Sequence, residues 1–401
     1  MNIIKRIVNA NNNRDPERLE KKYRAMRTDS FVFLRGTCHL FYDRLPKNGI
    51  FRSAPLTWCC GDLHLQNFGT FKGDNRLVYF DMNDFDEAAL APVSWELSRM
   101  LSSILVAAQT LHISPKEAKI LAKQFLESYV KALSSGKALW VERETSQGMI
   151  KELFEKLQDR KRKNLLDSRT ELKHDQRCFT LDGKKSLPIT ESQRILITRF
   201  MEQFAARQSD PEFYKVLDIA RRIAGTGSLG VERYIILVEG KGSPDHNYLL
   251  DLKQTRPSSI AKHLEAIQPK WINDAERIVS IQKRMQAVSD AFLFPEVIEH
   301  QSYVLQALQP SEDRVPLEKH RALDDLMTVI ATMGQCVAWA QLRSTGRQGS
   351  AIADELIEFA NKKKWQLNIL EASYDLADQV RDDWKSYCKA YDDNAFQISE
   401  S

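Results

Sequence analysis

A short polar stretch near residue 60 contains the residue types that phosphate chemistry uses. In the run CGDLHLQN, at residues 60–67, Asp62 stands five positions before Asn67. A loop with this spacing can place a general base beside a metal ligand, and a further aspartate from DMNDFDE, at residues 81–87, can supply another oxygen. Mg²⁺ prefers such hard oxygen donors and takes few of them from the protein. The alternative is an ordinary surface turn, because aspartate and asparagine both favour turns.

A glycine-rich run, GTGSLG at residues 225–230, lies between two runs of β type. Glycines there let the backbone approach phosphates, with amide N–H groups facing the oxygen atoms. A dinucleotide fingerprint needs a helix directly after the glycines, whereas residues 231–238 are apolar and β-branched and predict a strand. The run therefore favours a kinase-type glycine loop, the remaining alternative being an ordinary glycine hairpin. Its candidate phosphate-binding residues are Gly225, Gly227, Ser228 and Gly230.

Lys253 ends the apolar run YLLDLK, one predicted hairpin after the glycine loop. A lysine at the end of such a strand is placed to reach phosphates as a point charge. Taken alone, it would more often be an edge lysine that extends its charged end into water. Its position after the glycine loop favours phosphate binding.

Length and composition restrict the class of protein. The 401 residues predict about two to three domains or lobes. With 43% apolar residues, 28% charged residues and a net charge of +4, the composition is that of a globular protein and does not argue for nucleic acid or membrane as a partner. No apolar run of about 18 residues exists, so no membrane span is expected. Six cysteines without a metal-type pattern and no signal peptide indicate reduced thiols and a cytoplasmic protein.

The elements that must position these residues fall into three regions. Apolar residues at helical spacing predict helices in the first and last parts of the chain, at 92–111, 114–136 and 323–342, and one in between at 273–288. Runs of β type are concentrated in the middle, at 217–224, 231–238, 248–253 and 302–308. Residues from about 164 to 195 have weak periodicity and predict a long loop or an insertion. A strand-rich unit is therefore flanked by two helical regions.

Two segments carry a resemblance to known families. Residues 61–99 resemble the catalytic and metal-binding region of aminoglycoside and choline kinases, and residues 225–253 resemble the glycine loop and third-strand lysine of the kinase-like fold. The order is inverted, because the catalytic loop precedes the nucleotide loop. With this order and the runs FLRG, GDLH, NDFDE and GTGSLG, the chain is similar to the bacterial family called domain of unknown function 2252.

The resemblance implies an α+β protein with a circularly permuted, two-lobe, protein-kinase-like fold. Its parts would be an N-terminal helical arm at residues 1–30, a helical catalytic lobe at 31–210, a strand-rich nucleotide-binding lobe at 211–310, and C-terminal helices at 311–401 that complete the helical lobe. Within the catalytic lobe, residues from about 140 to 210 would be a variable segment. The helix at 323–342 would pack against the catalytic loop without leading into it.

The resemblance also implies roles for single residues. Asp62 would act on the acceptor hydroxyl, either as its base or as the group that orients it, and Asn67 would hold Mg²⁺ beside it. Asp84 heads the D-F-x-x-A pattern of the small-molecule kinases and is the preferred second metal ligand, with Asp81 as a further metal candidate. Glu276, on the helix after Lys253, is the candidate for the glutamate that pairs with the lysine in these kinases.

The sequence departs from those kinases at two places. Cys60 stands where they have a histidine, and Gln254-Thr255-Arg256 follows Lys253 where Lys-Glu-Ala is expected of the bacterial family. Neither change removes a predicted metal ligand.

The function that the motifs and the resemblance imply is phosphoryl transfer. The protein would use ATP and Mg²⁺ to phosphorylate a hydroxyl of an unknown acceptor, a small molecule being favoured over a protein. Transfer of AMP to a protein hydroxyl, with ATP bound in the reverse direction, uses the same residues and stays open. So does a nucleotide-binding pseudokinase that acts through protein partners. Nucleic acid is the least favoured partner.

Overall fold

The computed structural model describes residues 2–396 and has a mixed α+β architecture. Residue 1 and residues 397–401, at the ends of the predicted N-terminal arm and C-terminal helices, lie outside the described part. Within it the α-helices are α1 (Ile3–Ala10), α2 (Pro16–Thr28), α3 (Ser30–Gly36), α4 (Cys38–Arg44), α5 (Ile50–Ser53), α6 (Val93–Val106), α7 (Pro115–Ser134), α8 (Gly148–Gln158), α9 (Arg162–Asp167), α10 (Glu191–Ala205), α11 (Asp274–Met285), α12 (Leu323–Arg343), α13 (Ala353–Asn361) and α14 (Lys364–Asp392). The strands are β1 (Leu56–Cys59), β2 (Phe68–Lys72), β3 (Val78–Met82), β4 (Ala89–Pro92), β5 (Thr170–Lys173), β6 (Gln176–Phe179), β7 (Ser186–Leu187), β8 (Val216–Arg222), β9 (Arg233–Val238), β10 (Tyr248–Gln254), β11 (Leu293–Ile298) and β12 (Gln301–Leu308).

The largest sheet is antiparallel and has the strand order β11-β12-β10-β9-β8-β7. Both faces of this sheet carry apolar side chains, because successive residues of its central strands point to opposite faces. The side chains of the two faces belong to two separate apolar clusters. One cluster lies under α10 and includes Phe204, Ile236 and Leu305, and the other includes Ile235 and Leu249. Burial on both faces explains why β9 reads as a continuous apolar run in the sequence.

The helical region is built around α6, which is buried along its whole length. It packs against α7 and α14, while α12 lies along α7 and also contacts β1 and β3. Helix α12 thus contacts β1, the strand that precedes the predicted catalytic loop. A capping box between Ser114 and Glu117 fixes the start of α7, as the sequence indicates.

The prediction of a long loop at residues 164–195 is wrong. This segment contains the end of α9, the β5–β6 hairpin, strand β7 and the start of α10. His174 and Asp175 both have positive φ, which is the geometry of a tight two-residue hairpin turn without glycine. Strand β7 and helix α10 belong to the sheet and its cover, so the strand-rich unit draws on residues that precede position 211.

The N-terminal helices connect the two regions. Helix α2 packs against α3 and α14 of the helical region. The segment just before it touches the glycine loop, since the backbone N–H of Asp15 donates to the carbonyl of Gly230 at 2.8 Å. Among the helices of residues 2–396, none has the length and apolar character needed to cross a membrane.

Candidate active site

The predicted catalytic loop follows β1 and is held against the second acidic run by a close backbone approach. Gly61 has φ of +86°, and a Cβ added to it would lie 2.2 Å from the carbonyl oxygen of Glu87. Only glycine fits this contact without a backbone shift. The loop at residues 60–64 and the run at residues 84–87 are therefore one packed unit, although β2 and β3 separate them in the sequence.

Asp62 is anchored by a buried arginine. Arg99, which is 0% exposed on α6, donates from Nη2 and Nε to Asp62 Oδ1 at 2.6 and 3.1 Å. The same guanidinium donates to the carbonyl of Leu34 at 2.8 Å. Asp62 Oδ2 accepts no hydrogen bond from the residues between 2 and 396, so one oxygen is fixed and the other is open to the cavity.

Glu96 holds the backbone of the catalytic loop from below. Its Oε1 accepts the backbone N–H of Cys60 at 2.6 Å, and its Oε2 accepts Nε2 of Gln341, on α12, at 3.2 Å. Burial raises the pKa of Glu96 and raises that of the Cys60 thiol as well. His64 is also structural, because burial keeps its pKa low and its Nδ1 accepts the N–H of Gln66. The loop is thus positioned by α6 and α12.

Asn67 clamps the two acidic segments together. Its Oδ1 accepts the backbone N–H groups of Asp84 at 2.8 Å and of Asn83 at 3.2 Å, and its Nδ2 donates to the carbonyl of Asp84 at 3.0 Å. An amide oxygen has two lone pairs, and both are used here. In this conformation Asn67 positions Asp84, and binding a metal through Oδ1 would require it to release one of these backbone groups.

Lys253 reaches the acidic run from the sheet. It lies on β10 opposite Arg233 and Val304, and its Nζ pairs with Asp86 and stands 3.9 Å from Oδ1 of Asp84. Desolvation opposes the charge of Asp84, but Lys253, the backbone N–H of Asp86 and two nearby arginines together outweigh it and lower the pKa of that carboxyl. Burial and the charge of Asp84 raise the pKa of Asp86. The structure therefore brings Asp84 and Lys253 together.

The glycine loop closes on the same carboxylates. Ser228 Oγ donates to Oδ2 of Asp86 at 3.3 Å. Gly225 and Gly230 have φ of +71° and +85°, and a Cβ on Gly230 would lie 2.8 Å from Cβ of Arg14. Arg14 donates from Nη1 to the carbonyls of Gly227 and Leu229, both at 2.7 Å, so the N-terminal segment fixes the loop from outside.

Two predicted residues lie elsewhere. Asp81 is buried away from the cleft, where its Oδ2 accepts Nη2 of Arg343 at 2.9 Å and ties β3 to α12. Burial raises the pKa of Asp81. Glu276 does not meet Lys253, because its Oε2 accepts the N–H of Ile272 at 2.7 Å and so caps the start of α11. The carboxylate of Glu276, which the resemblance assigns as the partner of Lys253, is therefore used as a helix cap.

Two cavities open on either side of these carboxylates. The Asp62 cavity, of about 400 Å³, is lined by Asp62 and Asn67, and the Lys253 cavity, of about 370 Å³, is lined by Lys253. Both are lined by Asp84, Asp86, Gly225, Ser228 and Arg314. The cavities therefore meet where the acidic run touches the glycine loop. Among residues 2–396 no group of three histidine, cysteine, aspartate or glutamate side chains is arranged to hold a metal.

The wall of the Lys253 cavity combines charged and apolar groups. Arg222 and Arg233 both pair with the buried Asp251, and although burial opposes ionisation, the two guanidiniums lower the pKa of this aspartate. Burial raises the pKa of Glu312 to about 7. Its apolar lining includes Phe71, Phe85, Ile278, Val304 and Leu308. The cavity thus offers an apolar pocket beside cationic groups.

Sequence reasoning missed several residues of the site. Arg99 and Glu96 could have been found, because a charged residue inside a helix without other charges needs a partner when that helix is buried. Arg14 and Lys22 gave no comparable signal, since each lies more than 200 positions from the glycine-loop carbonyl that it contacts.

Comparison with known proteins adds one finding. A family model described as "Uncharacterized protein conserved in bacteria (DUF2252)" matches residues 14–390. The matched range contains the catalytic loop, the acidic run, the glycine loop and Lys253. No curated protein and no solved structure matches the chain.

Proposed function

The chain belongs to this bacterial DUF2252 family, and from its cleft we propose an ATP- and Mg²⁺-dependent phosphotransferase of circularly permuted kinase-like architecture. The observation that carries the proposal is the meeting of two cavities at Asp84 and Asp86, with Lys253 on one side and Asp62 on the other. A donor and an acceptor placed in the two cavities would face each other across these carboxylates. Phosphoryl transfer needs this arrangement, because positioning and charge neutralisation provide most of its catalysis.

The order of elements supports a nucleotide in the Lys253 cavity. Kinases place a glycine-rich loop over the ATP phosphates and a lysine on a neighbouring strand. Here the glycine loop joins β8 to β9, and Lys253 lies on β10, which pairs with β9. The apolar surface around Val304 and Leu308 is suited to a nucleoside base, and Lys253 would exchange Asp86 for phosphate oxygens when the nucleotide binds.

The metal fits the acidic run, though with few ligands from the protein. Asp84 is 53% exposed and lies at the junction of the cavities, so its carboxylate is available to a cation. Mg²⁺ usually takes one or two carboxylates and completes its shell with water and phosphate. When bound it would supply charge neutralisation at the phosphates, and Asn67 would keep the acidic run at the correct distance from Asp62.

Asp62 is the residue that would accept the proton of the acceptor hydroxyl. Its Oδ1 is fixed by Arg99, and its Oδ2 faces the Asp62 cavity. In the transfer, the acceptor oxygen would form a bond to the terminal phosphorus of ATP while the bond to the bridging oxygen breaks. The hydroxyl proton would pass to Asp62 and ADP would leave. This step uses the same loop geometry that the buried Glu96 maintains.

The test is the thermal stability of the full chain with ATP, with and without Mg²⁺. A nucleotide that binds only the folded state should add about 2.7 kcal/mol at a hundred times its Kd. We expect a Mg²⁺-dependent increase that is lost in Lys253→Met and Asp84→Asn. The matched controls are Lys241→Met and Asp74→Asn, because both residues are exposed and lie in strand turns away from the cleft. Circular dichroism checks that each variant is folded.

No stabilisation of the wild type at millimolar ATP would refute the proposal. Stabilisation without turnover of any acceptor would favour a pseudokinase. If an acceptor protein is modified, its intact mass distinguishes an added phosphate from an added AMP, and AMP would contradict phosphoryl transfer.

A further inference from the structure

The Asp62 cavity contains a cluster of positive charges that form no direct pair with a carboxylate of the described residues. We define the cationic cluster as Arg14, Lys22, Arg35 and Arg256, which all line this cavity. Among residues 2–396, none of the four forms a salt bridge. Their hydrogen bonds go to neutral oxygen atoms, or are absent. A charge that is removed from water without an opposite charge is costly, so such a cluster points to an anionic ligand.

Lys22 is the clearest member of the cluster. It is 2% exposed, and its Nζ donates to Oδ1 of Asn11 at 2.9 Å and to the carbonyl of Gly227 at 3.1 Å. Both acceptors are neutral. Burial, together with the positive charges of Arg14 and Arg256, lowers its pKa well below the ordinary value. An anion beside Lys22 would remove this penalty.

The arginines of the cluster also have unused donors. Arg35 donates to none of the residues between 2 and 396, its Nε is buried without a partner, and its guanidinium lies 5.7 Å from the centre of the Phe31 ring. Arg14 has a buried Nε without a partner, and Arg256 donates to the carbonyl of Asn12 at 2.9 Å. Burial lowers the pKa of both Arg14 and Arg35 to about 10.

The carboxylates of the same cavity form no ion pair with the cluster. Asp62 pairs with Arg99, Asp86 pairs with Lys253, and Asp84 stands 3.9 Å from the same lysine. Glu87 accepts the backbone N–H of Ser259, and burial raises the pKa of its carboxyl. Within the described part of the chain, the four cations of the cluster therefore have no carboxylate within ion-pair distance.

From this arrangement we infer that the acceptor is a small alcohol that also carries a phosphate monoester, held by the cationic cluster while its hydroxyl faces Asp62. The inference rests on the proposed function and adds the substrate class. A phosphate brings nearly two negative charges and three strong acceptor oxygens, which match several unpaired arginine and lysine donors. A cavity of about 400 Å³ is of a size for small molecules. A cationic acceptor such as choline would be repelled.

The experiment measures binding of inorganic phosphate to the full chain by calorimetry, in the presence of saturating Mg²⁺ and a non-hydrolysable ATP analogue. The analogue occupies the phosphate-binding part of the Lys253 cavity, so the remaining phosphate binding reports on the Asp62 cavity. We expect the Kd to rise at least tenfold in Lys22→Met and in Arg35→Met. Arg24→Met is the matched control, since Arg24 lies on the same helix as Lys22 but is 70% exposed. The Kd of this variant for phosphate should stay within twofold of the wild-type value.

A second variant protects the test against loss of folding. Lys22 is buried, so its substitution could disturb α2, whereas Arg256 is partly exposed and Arg256→Gln removes the charge while keeping a hydrogen-bond donor. We expect at least a threefold rise in Kd for Arg256→Gln with an unchanged circular dichroism spectrum. The inference is overturned if the wild type binds no phosphate at about 10 mM, which is about ten times a Kd of 1 mM. It is also overturned if all variants bind phosphate with the same Kd as the wild type.

The two proposals fail in different ways. If the ATP analogue does not bind, the titration is repeated without it in Lys253→Met. Phosphate binding that still depends on Lys22 and Arg35 would then support the anion site in the Asp62 cavity. The absence of nucleotide binding would at the same time refute the proposed phosphotransferase. If the analogue binds and phosphate does not, the nucleotide site stands and the anionic acceptor is refuted.

Discussion

Gly61→Ala should separate the catalytic loop from the acidic run. The new Cβ would lie 2.2 Å from the carbonyl oxygen of Glu87, 2.7 Å from its carbonyl carbon and 2.9 Å from its Cβ. These atoms belong mostly to the backbone, so the clash can be relieved only by moving residues 84–87 away from the loop. The change therefore tests whether close backbone packing positions Asp84 relative to Asp62.

The expected cost has two parts. A positive φ costs a non-glycine residue about 1–2 kcal/mol, and overpacking adds about 1–3 kcal/mol, so Gly61→Ala should destabilise the protein by about 2–5 kcal/mol. Gly183→Ala is the matched control, because Gly183 has φ of +65° and a Cβ there would meet no atom within 4 Å. It should cost only the backbone strain.

Urea unfolding followed by tryptophan fluorescence measures both variants, and an unchanged slope makes the two free energies of unfolding comparable. Gly61→Ala should also lose the stabilisation by Mg²⁺ and ATP, while Gly183→Ala keeps it. The reasoning is refuted if the two variants are equally stable and both retain nucleotide binding.

Three further perturbations have defined outcomes. Arg99→Met should cost about 3 kcal/mol in urea unfolding, because it leaves a partly buried carboxylate unpaired, and its effect should not add to that of Asp62→Asn. Burial raises the pKa of Glu312 to about 7, so between pH 4.5 and 7 the folded protein holds a proton that the unfolded chain has lost. Stability should therefore fall as pH rises through this window, and the fall in Tm between pH 5 and pH 8 should be smaller in Glu312→Gln. Asp81→Asn should lower Tm by weakening the contact with Arg343 yet keep the Mg²⁺-dependent effect of ATP, and loss of that effect would instead make Asp81 a metal ligand.

Several elements could be predicted because local sequence determines them. The runs of β type that form β8, β9, β10 and β12 are found within two residues of their expected ends, and the predicted glycine loop joins two of these strands. The proline and capping box at the start of α7 are local features as well. By contrast β11, which contains Pro295, was not predicted. A proline is tolerated there since β11 forms the edge of the sheet.

The parts of the site that could not be predicted depend on tertiary contacts. The role of Asn67 as a clamp requires the backbone of Asp84 to lie beside it, which the spacing does not reveal. Glu276 fits the sequence pattern of a lysine partner, but the local demand for a cap at the start of α11 uses its carboxylate. Arg14 and Lys22 join the site only because the N-terminal segment folds over the glycine loop.

A crystal structure of the full chain with Mg²⁺ and a non-hydrolysable ATP analogue would test the proposed nucleotide site directly. We expect the base in the apolar part of the Lys253 cavity, Lys253 on a phosphate, Mg²⁺ on Asp84, and the terminal phosphate directed toward Asp62. A nucleotide in the reverse direction, with its α-phosphate nearest Asp62, would contradict phosphoryl transfer and favour transfer of AMP. A nucleotide bound outside both cavities would contradict the assignment of the site itself.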